Sequence, residues 1–124
     1  DWIGVLAGVA AMIGHARPVF LKFSRGGKMV ATAGGVAFAL APVAAAVCVI
    51  VWLVVFRLFR YASVSSLVTS AALPFASYLF GASWPIVGFG AGAAIGVFVL
   101  HRGNLRRLFA GTEPRFGRRS GAAA

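Results

Sequence analysis

Acid is almost missing from this sequence. Asp1 and Glu113 are its only carboxylates, against twelve Lys and Arg in 124 residues, for a net charge of +10. Charge of either sign is scarce, at 11% of residues, while 60% are apolar and the mean hydropathy is +0.92. A soluble domain of this size would expose far more charge, which leaves an integral membrane protein. Cysteine is limited to Cys48, in the middle of the apolar run AAAVCVIVW. A disulfide within the chain is therefore impossible, and Cys48 reads as a small buried hydrophobe. The two histidines show neither HxxxH nor Cys/His spacing, so no metal site is expected. There is no Ser-His-Asp set and no convincing general base. An initiator Met and a signal-peptide pattern are both lacking, and the chain reads as N-terminally truncated.

What is present is a series of apolar segments separated by cations. Trp2 to Gly14 spans 13 residues, about 20 Å of helix, with Gly4 and Gly8 forming a small-residue face that permits close helix contact. Met29 to Phe56 is uncharged for 28 residues, too long for one upright pass, and contains Pro42. It is either one tilted, kinked span or two segments, 29–40 and 43–56, joined at Ala41-Pro42. Tyr61 to Leu100 is uncharged for 40 residues and reads as two spans with a turn at Gly81-Ala82-Ser83, Trp84 lying at interfacial depth. Pro74 is expected to kink the first of these, and Gly88, Gly92 and Gly96 to give the second a smooth packing stripe. The prediction is an all-α polytopic membrane helix bundle of about five apolar segments, forming one domain over 1–124. Residues 114–124 are expected to be a disordered basic tail that touches lipid headgroups.

Charge arbitrates topology. If 29–56 crosses twice, the loop Arg17–Lys28, Arg57 and Arg60, and the tail Arg102–Arg119 share one face, as the cytoplasmic bias of Lys and Arg requires. Cations interleaved with membrane-length runs favour anionic lipid or a phosphorylated substrate over nucleic acid, and no nucleic-acid partner is expected.

Chemistry-bearing residues cluster in the polar stretches. In Arg25-Gly26-Gly27-Lys28 the glycines let successive backbone N–H groups turn inward as an anion nest, and Lys28 adds a mobile charge just before a helix N-terminus. This is not a Walker A loop, because Lys22 stands at the first glycine position and Met29 at the Ser/Thr position. The bland alternative is a flexible cytoplasmic basic loop. His15 lies at a membrane boundary, where a structural role is commoner than a catalytic one. In the tail, His101, Asn104 and Leu108 share a face if a helix continues past Gly103. Glu113, alone among cations, is expected to pair with an arginine.

Several of these stretches together resemble a known family. Gly14-His15-x-x-Pro18-Val19-Phe20-Leu21-x-Phe23, followed by Gly26-Gly27-Lys28-x-Val30-Ala31-Thr32, is similar to the second motif of the bacterial acyl-phosphate:glycerol-3-phosphate acyltransferases. Arg60-Tyr61-x-Ser63-x-Ser65-Ser66 resembles the segment that follows it. His101-Arg102-x-Asn104-Leu105-x-Arg107-Leu108-x-x-Gly111-Thr112-Glu113 resembles the third motif. The resemblance implies a multi-pass enzyme of the bacterial inner membrane, motif loops and C-terminus cytoplasmic, active in phospholipid biosynthesis. It would transfer an acyl group from acyl-phosphate to the 1-hydroxyl of glycerol 3-phosphate, giving lysophosphatidic acid and phosphate. It implies no cofactor, and functional coupling to an acyl-phosphate synthase. Arg25, Gly26, Gly27 and Lys28 would bind phosphate. Lys28 and Asn104 would hold substrate, His101 would orient or stabilise it, and His15 and Glu113 would support their motifs. The substrate phosphate would accept the hydroxyl proton, so that no protein base is required. The sequence departs from the pattern at Arg17, where an aromatic is usual, at Ser24-Arg25, which adds a residue, and at Met29, which replaces a glycine. The family's first motif is absent, so the 124 residues alone are expected to be inactive. A catalytically decayed membrane protein that binds anionic lipid or a partner is the competing reading. A transporter is weaker, because no span carries an acid to couple ions.

Overall fold

The computed structural model describes residues 2–16 and 30–117, and among these the regular elements are helices: α1 (Trp2–Ala16), α2 (Val30–Leu40), α3 (Pro42–Phe59), α4 (Ala62–Leu79), α5 (Trp84–Leu100) and α6 (Arg102–Ala110). Five are apolar, and α6 is short and amphipathic. By length and composition α3 and α4 can each cross a membrane, and α5 with α6, bent by 57°, counts as a third only if the pair is taken as one broken span. At 15 and 11 residues, α1 and α2 extend only about 23 Å and 17 Å, less than the hydrocarbon core of about 30 Å. The protein is a polytopic helical membrane protein.

The uncharged run at 29–56 divides where proline demands it. Ala41 leaves helical geometry at φ −148°, ψ 73°, and Pro42 opens α3 in the first turn, where its missing N–H costs nothing. The chain then doubles back. Val30 of α2 and Trp52 of α3 line the same groove, as do Ala37 and Ala45. In one continuous helix Val30 and Trp52 would stand about 33 Å apart. The single kinked span is thereby ruled out in favour of two segments, the second reaching Phe59 rather than Phe56.

Helix directions follow from the contacts. Gly4 of α1 meets Leu40, and Gly8 meets Val36, so α1 and α2 are antiparallel. Trp2 and Trp84 border one groove at the starts of α1 and α5, which therefore run parallel. Phe116 binds back onto Arg60. The end of α1, the start of α2, the end of α3 and the end of α5 consequently lie at one end of the bundle. Arg57, Arg60 and the α6 arginines gather there, as the charge argument expects. At the opposite end Gly81, at φ 80°, turns the chain between α4 and α5, with Trp84 exposed beside Tyr78.

Packing relies on small residues. One core joins Val5 and Met12 of α1, Ala33 of α2, and Ile86, Phe89 and Ala93 of α5. The other joins Ala37, Ala44, Ala45, Cys48, Leu73 and Ala76, and buries the lone cysteine as expected. Large side chains such as Ile3, Phe75 and Leu79 point outward, the arrangement lipid favours. The glycine stripe on α5 needs correction. A Cβ at Gly88 or Gly92 would meet nothing within 4 Å, whereas at Gly90 it would lie 3.2 Å from the Pro74 backbone. The close contact is made by Gly90, because α4 presents its proline ring and backbone on that side.

Gly90→Ala should therefore destabilise the protein by about 1–3 kcal/mol, since backbone cannot yield as a side chain can. Gly88→Ala and Gly92→Ala should be neutral or slightly stabilising. Thermal unfolding of the three variants in one detergent is the measurement, and equal behaviour of all three would refute the α4–α5 contact.

Candidate functional site

The C-terminal end of α5 is where polar side chains enter the apolar bundle. The helix stops at Leu100, and His101 turns the chain by 57° into α6. A bend of this kind disturbs the regular hydrogen bonding of the last carbonyls, and local side chains add donors there, although the Val97 carbonyl keeps the His101 backbone N–H at 2.9 Å. His101 Nδ1 lies 2.8 Å from the Val97 carbonyl, and Arg102 Nη1 donates to the Val99 carbonyl at 3.0 Å. A carbonyl can only accept, so Nδ1 carries the proton and Nε2 is the acceptor of the neutral ring. His101 is 3% exposed.

Asn104 and Arg107 stand three residues apart on one face of α6, and both reach the same carboxylate. Gly111, at φ 76°, ends α6 in the left-handed conformation, and Thr112 N–H bonds to the Arg107 carbonyl at 2.8 Å. That cap reverses the chain and brings Glu113 back against the helix. Asn104 Nδ2 donates to Glu113 Oε2 at 2.7 Å, and Arg107 Nε to Oε1 at 2.9 Å. The Glu113 side chain is 3% exposed. Ser63, buried on α4, faces the same carboxylate without closing a hydrogen bond of good geometry. Burial by itself raises the Glu113 pKa, but Ser63, Asn104 and Arg107, together with the Arg107 charge, outweigh it and hold the carboxyl below its ordinary value. With Nδ2 committed to Glu113, the amide plane of Asn104 is fixed.

Three sequence-predicted residues, His101, Asn104 and Glu113, are thus brought together at the bend. His15 is exposed in the last turn of α1 and makes no hydrogen bond within this cluster. Arg25, Gly26, Gly27 and Lys28 lie outside the described residues. Their flanking helices, α1 and α2, terminate at the same end of the bundle as His101, and Val30 and Val97 line one groove. That groove, about 270 Å³ and almost wholly apolar, runs from there between α2, α3 and α4. The tail also departs from expectation. Arg115 Nε donates to the Phe59 carbonyl at 3.0 Å, its guanidinium lies 5.8 Å from the Tyr61 ring centre, and Phe116 N–H donates to the Arg60 carbonyl at 2.8 Å. Residues 114–117 are therefore held against the α3–α4 turn, and 118–124 lie outside the described residues. The arginine that the sequence expects beside Glu113 is Arg107; which arginine it would be, and that Ser63 faces the same carboxylate, sequence reasoning missed. The spacing of Asn104 and Arg107 could have revealed the first, but nothing local points to a serine fifty positions away.

A carboxylate whose folded pKa is depressed stabilises the fold above its unfolded value, about 4.3, and that contribution disappears as pH falls through the lower folded value. Thermal stability in detergent should therefore drop as pH is lowered through about 4. Glu113→Gln should cost about 1–3 kcal/mol at pH 7, because it sets an NH2 donor in place of one of the two accepting oxygens and removes the charge that pairs with Arg107, and it should lessen the acid-dependent drop. An unchanged acid profile in the variant would show that Glu113 is not the group responsible.

Comparison with known proteins agrees with this geometry. Residues 1–111 match the family model described as glycerol-3-phosphate acyltransferase. The chain is 43% identical over 112 residues to the glycerol-3-phosphate acyltransferase of Desulforudis audaxviator, covering 90% of this chain and 56% of that one. It is 44% identical over 117 residues to that of Gloeobacter violaceus, covering 94% and 56%. Crystal structures of PlsY, an integral membrane glycerol 3-phosphate acyltransferase, superpose with a TM-score of 0.90 at 35% identity, covering 94% of this chain and 58% of PlsY in its glycerol 3-phosphate form. A lysophosphatidic acid form of PlsY matches equally well. The chain spans a little over half the length of the relatives it matches. It belongs to the glycerol-3-phosphate acyltransferase family.

Proposed function

We propose that the protein transfers an acyl group from an acyl-phosphate to the 1-hydroxyl of glycerol 3-phosphate, yielding lysophosphatidic acid and inorganic phosphate. The observation that carries this reading is the Glu113-braced Asn104 beside buried His101, at the end of the bundle where the helices flanking Gly26-Gly27-Lys28 also terminate. The relatives' names, and the two ligand forms of PlsY, support the same assignment.

In this reading the hydroxyl oxygen attacks the acyl carbonyl, the acyl–phosphate bond breaks, and the departing phosphate takes up the hydroxyl proton. Both substrates are anionic, and the protein's work is to orient them and neutralise charge. Arg25, Gly26, Gly27 and Lys28 bind phosphate, Asn104 holds glycerol 3-phosphate, and His101 orients or stabilises the reacting groups. His15 and Glu113 support their motifs. The membrane is the bacterial inner membrane, with the basic end of the bundle in the cytoplasm by the positive-inside rule. An acyl-phosphate synthase would supply the donor there.

The test is phosphate release from acyl-phosphate by protein of the relatives' length carrying these residues, reconstituted in lipid. Release should depend on glycerol 3-phosphate, and Lys28→Ala and Asn104→Ala should each lower kcat/KM by about 100-fold or more. No release from the folded protein would favour the non-catalytic lipid- or partner-binding reading instead, and release that survives Lys28→Ala would remove Lys28 from the reaction.

A further inference from the structure

A groove bordered by two arginines stands away from the Asn104–Glu113 cluster, on the outer face of α3. Leu53, Val54, Arg57 and Leu58 recur at helical spacing and form one exposed stripe. Beyond the helix end, Phe116 closes over this stripe. Its N–H is bonded to the Arg60 carbonyl, and its ring lies 5.3 Å from Phe56. The result is an open groove of about 760 Å³, with an apolar floor of Leu53, Val54, Leu58 and Phe116 and with Arg57 and Arg60 among its lining.

Two properties of these arginines point to an anion. Neither has an acidic partner among the described residues, where the one carboxylate, Glu113, is held by Asn104 and Arg107. Arg60 is moreover the only non-glycine residue among them with positive φ, at 60°. Glycine is the usual occupant of a helix C-cap in that conformation, and a side chain there is kept at some cost. At 18 residues, α3 extends about 27 Å, which puts its cationic end at headgroup depth and its apolar stripe in the hydrocarbon. The complement to such a groove carries a negative phosphate at one end and an apolar chain at the other.

We infer that the groove between the end of α3 and Phe116 is a docking site for an anionic glycerophospholipid of the surrounding bilayer, with its phosphate on Arg57 and Arg60 and an acyl chain along Leu53, Val54 and Leu58. This site does not depend on the proposed catalysis. A bound lipid would brace Phe116, three residues beyond Glu113.

Native mass spectrometry of the 124-residue chain, released from bilayers of equal phosphatidylglycerol and phosphatidylcholine, tests the site. One phosphatidylglycerol should be retained about thirtyfold over phosphatidylcholine, in line with about 1 kcal/mol for each of two basic residues at an anionic surface. The double variant Arg57→Gln/Arg60→Gly should abolish the preference. Glycine suits the Arg60 backbone, and unchanged helix content by circular dichroism will verify folding. Arg102→Gln/Arg106→Gln removes the same charge from α6 and should leave the preference intact; Phe116→Ala should weaken it. Equal retention of the two lipids, equal loss in both double variants, or displacement of the lipid by inorganic phosphate alone would each overturn the proposal.

Discussion

A single carboxylate buried in an apolar, cationic chain sets the terms for the C-terminal third of the molecule. Removing an ionised group from water costs several kcal/mol unless hydrogen bonds and opposite charge replace its hydration. Glu113 meets that demand with Asn104 and Arg107 from α6, while Ser63 adds the polar face of α4. A nine-residue helix such as α6 has little stability of its own. Its position is fixed by the carboxylate it serves and by the reversal at Gly111. Loop, short helix and α4 are therefore coupled through one side chain.

The spans obey a different rule. In lipid, large apolar side chains gain nothing by leaving their surroundings, so helices associate where small residues allow backbones to approach. Gly4 and Gly8 against α2, Gly90 against Pro74, and Ala44 and Ala45 in the second core all follow this rule. The bulky side chains face outward. Polar satisfaction then becomes the specific element. Ser65 Oγ donates to the Tyr61 carbonyl and Trp52 Nε1 to Ser66 Oγ, pinning α4 at the end that carries the site.

These two rules explain how much the sequence could reveal. Charge-free runs bounded by arginines located the apolar helices, and Pro42 marked where α2 and α3 divide as one of two open readings, because each is a local property of the chain. The gathering of the described arginines at one end was legible from the distribution of charge along the chain. Periodicity, in contrast, locates a stripe without saying which stripe meets a neighbour. Gly88 and Gly92 repeat at helical spacing, yet the contact belongs to Gly90, since Pro74 lies on its side. Arg115 and Phe116 read as a disordered tail by composition, but their order comes from carbonyls at Phe59 and Arg60, more than fifty positions away. The link between Ser63 and Glu113 was hidden for the same reason.

The bend at His101 separates two supports that the sequence motif runs together. His101 is tied to α5: its ring and its backbone N–H both engage the Val97 carbonyl, at 2.8 and 2.9 Å. Asn104, one turn later, is tied to the loop after α6 through Glu113. The two polar groups thus stand side by side but are held from opposite directions. Had α5 continued straight, Asn104 would have stood about 2 Å further along its axis than the 57° bend leaves it. Bending keeps the amide at the bundle's end, within reach of α4. At the bend the Arg102 guanidinium donates to the Val99 carbonyl, while the His101 ring adds a second bond to a Val97 carbonyl that keeps its helical donor. His101 is thus anchored to the helix before the bend, whereas Asn104 is oriented by a residue outside the helix that bears it.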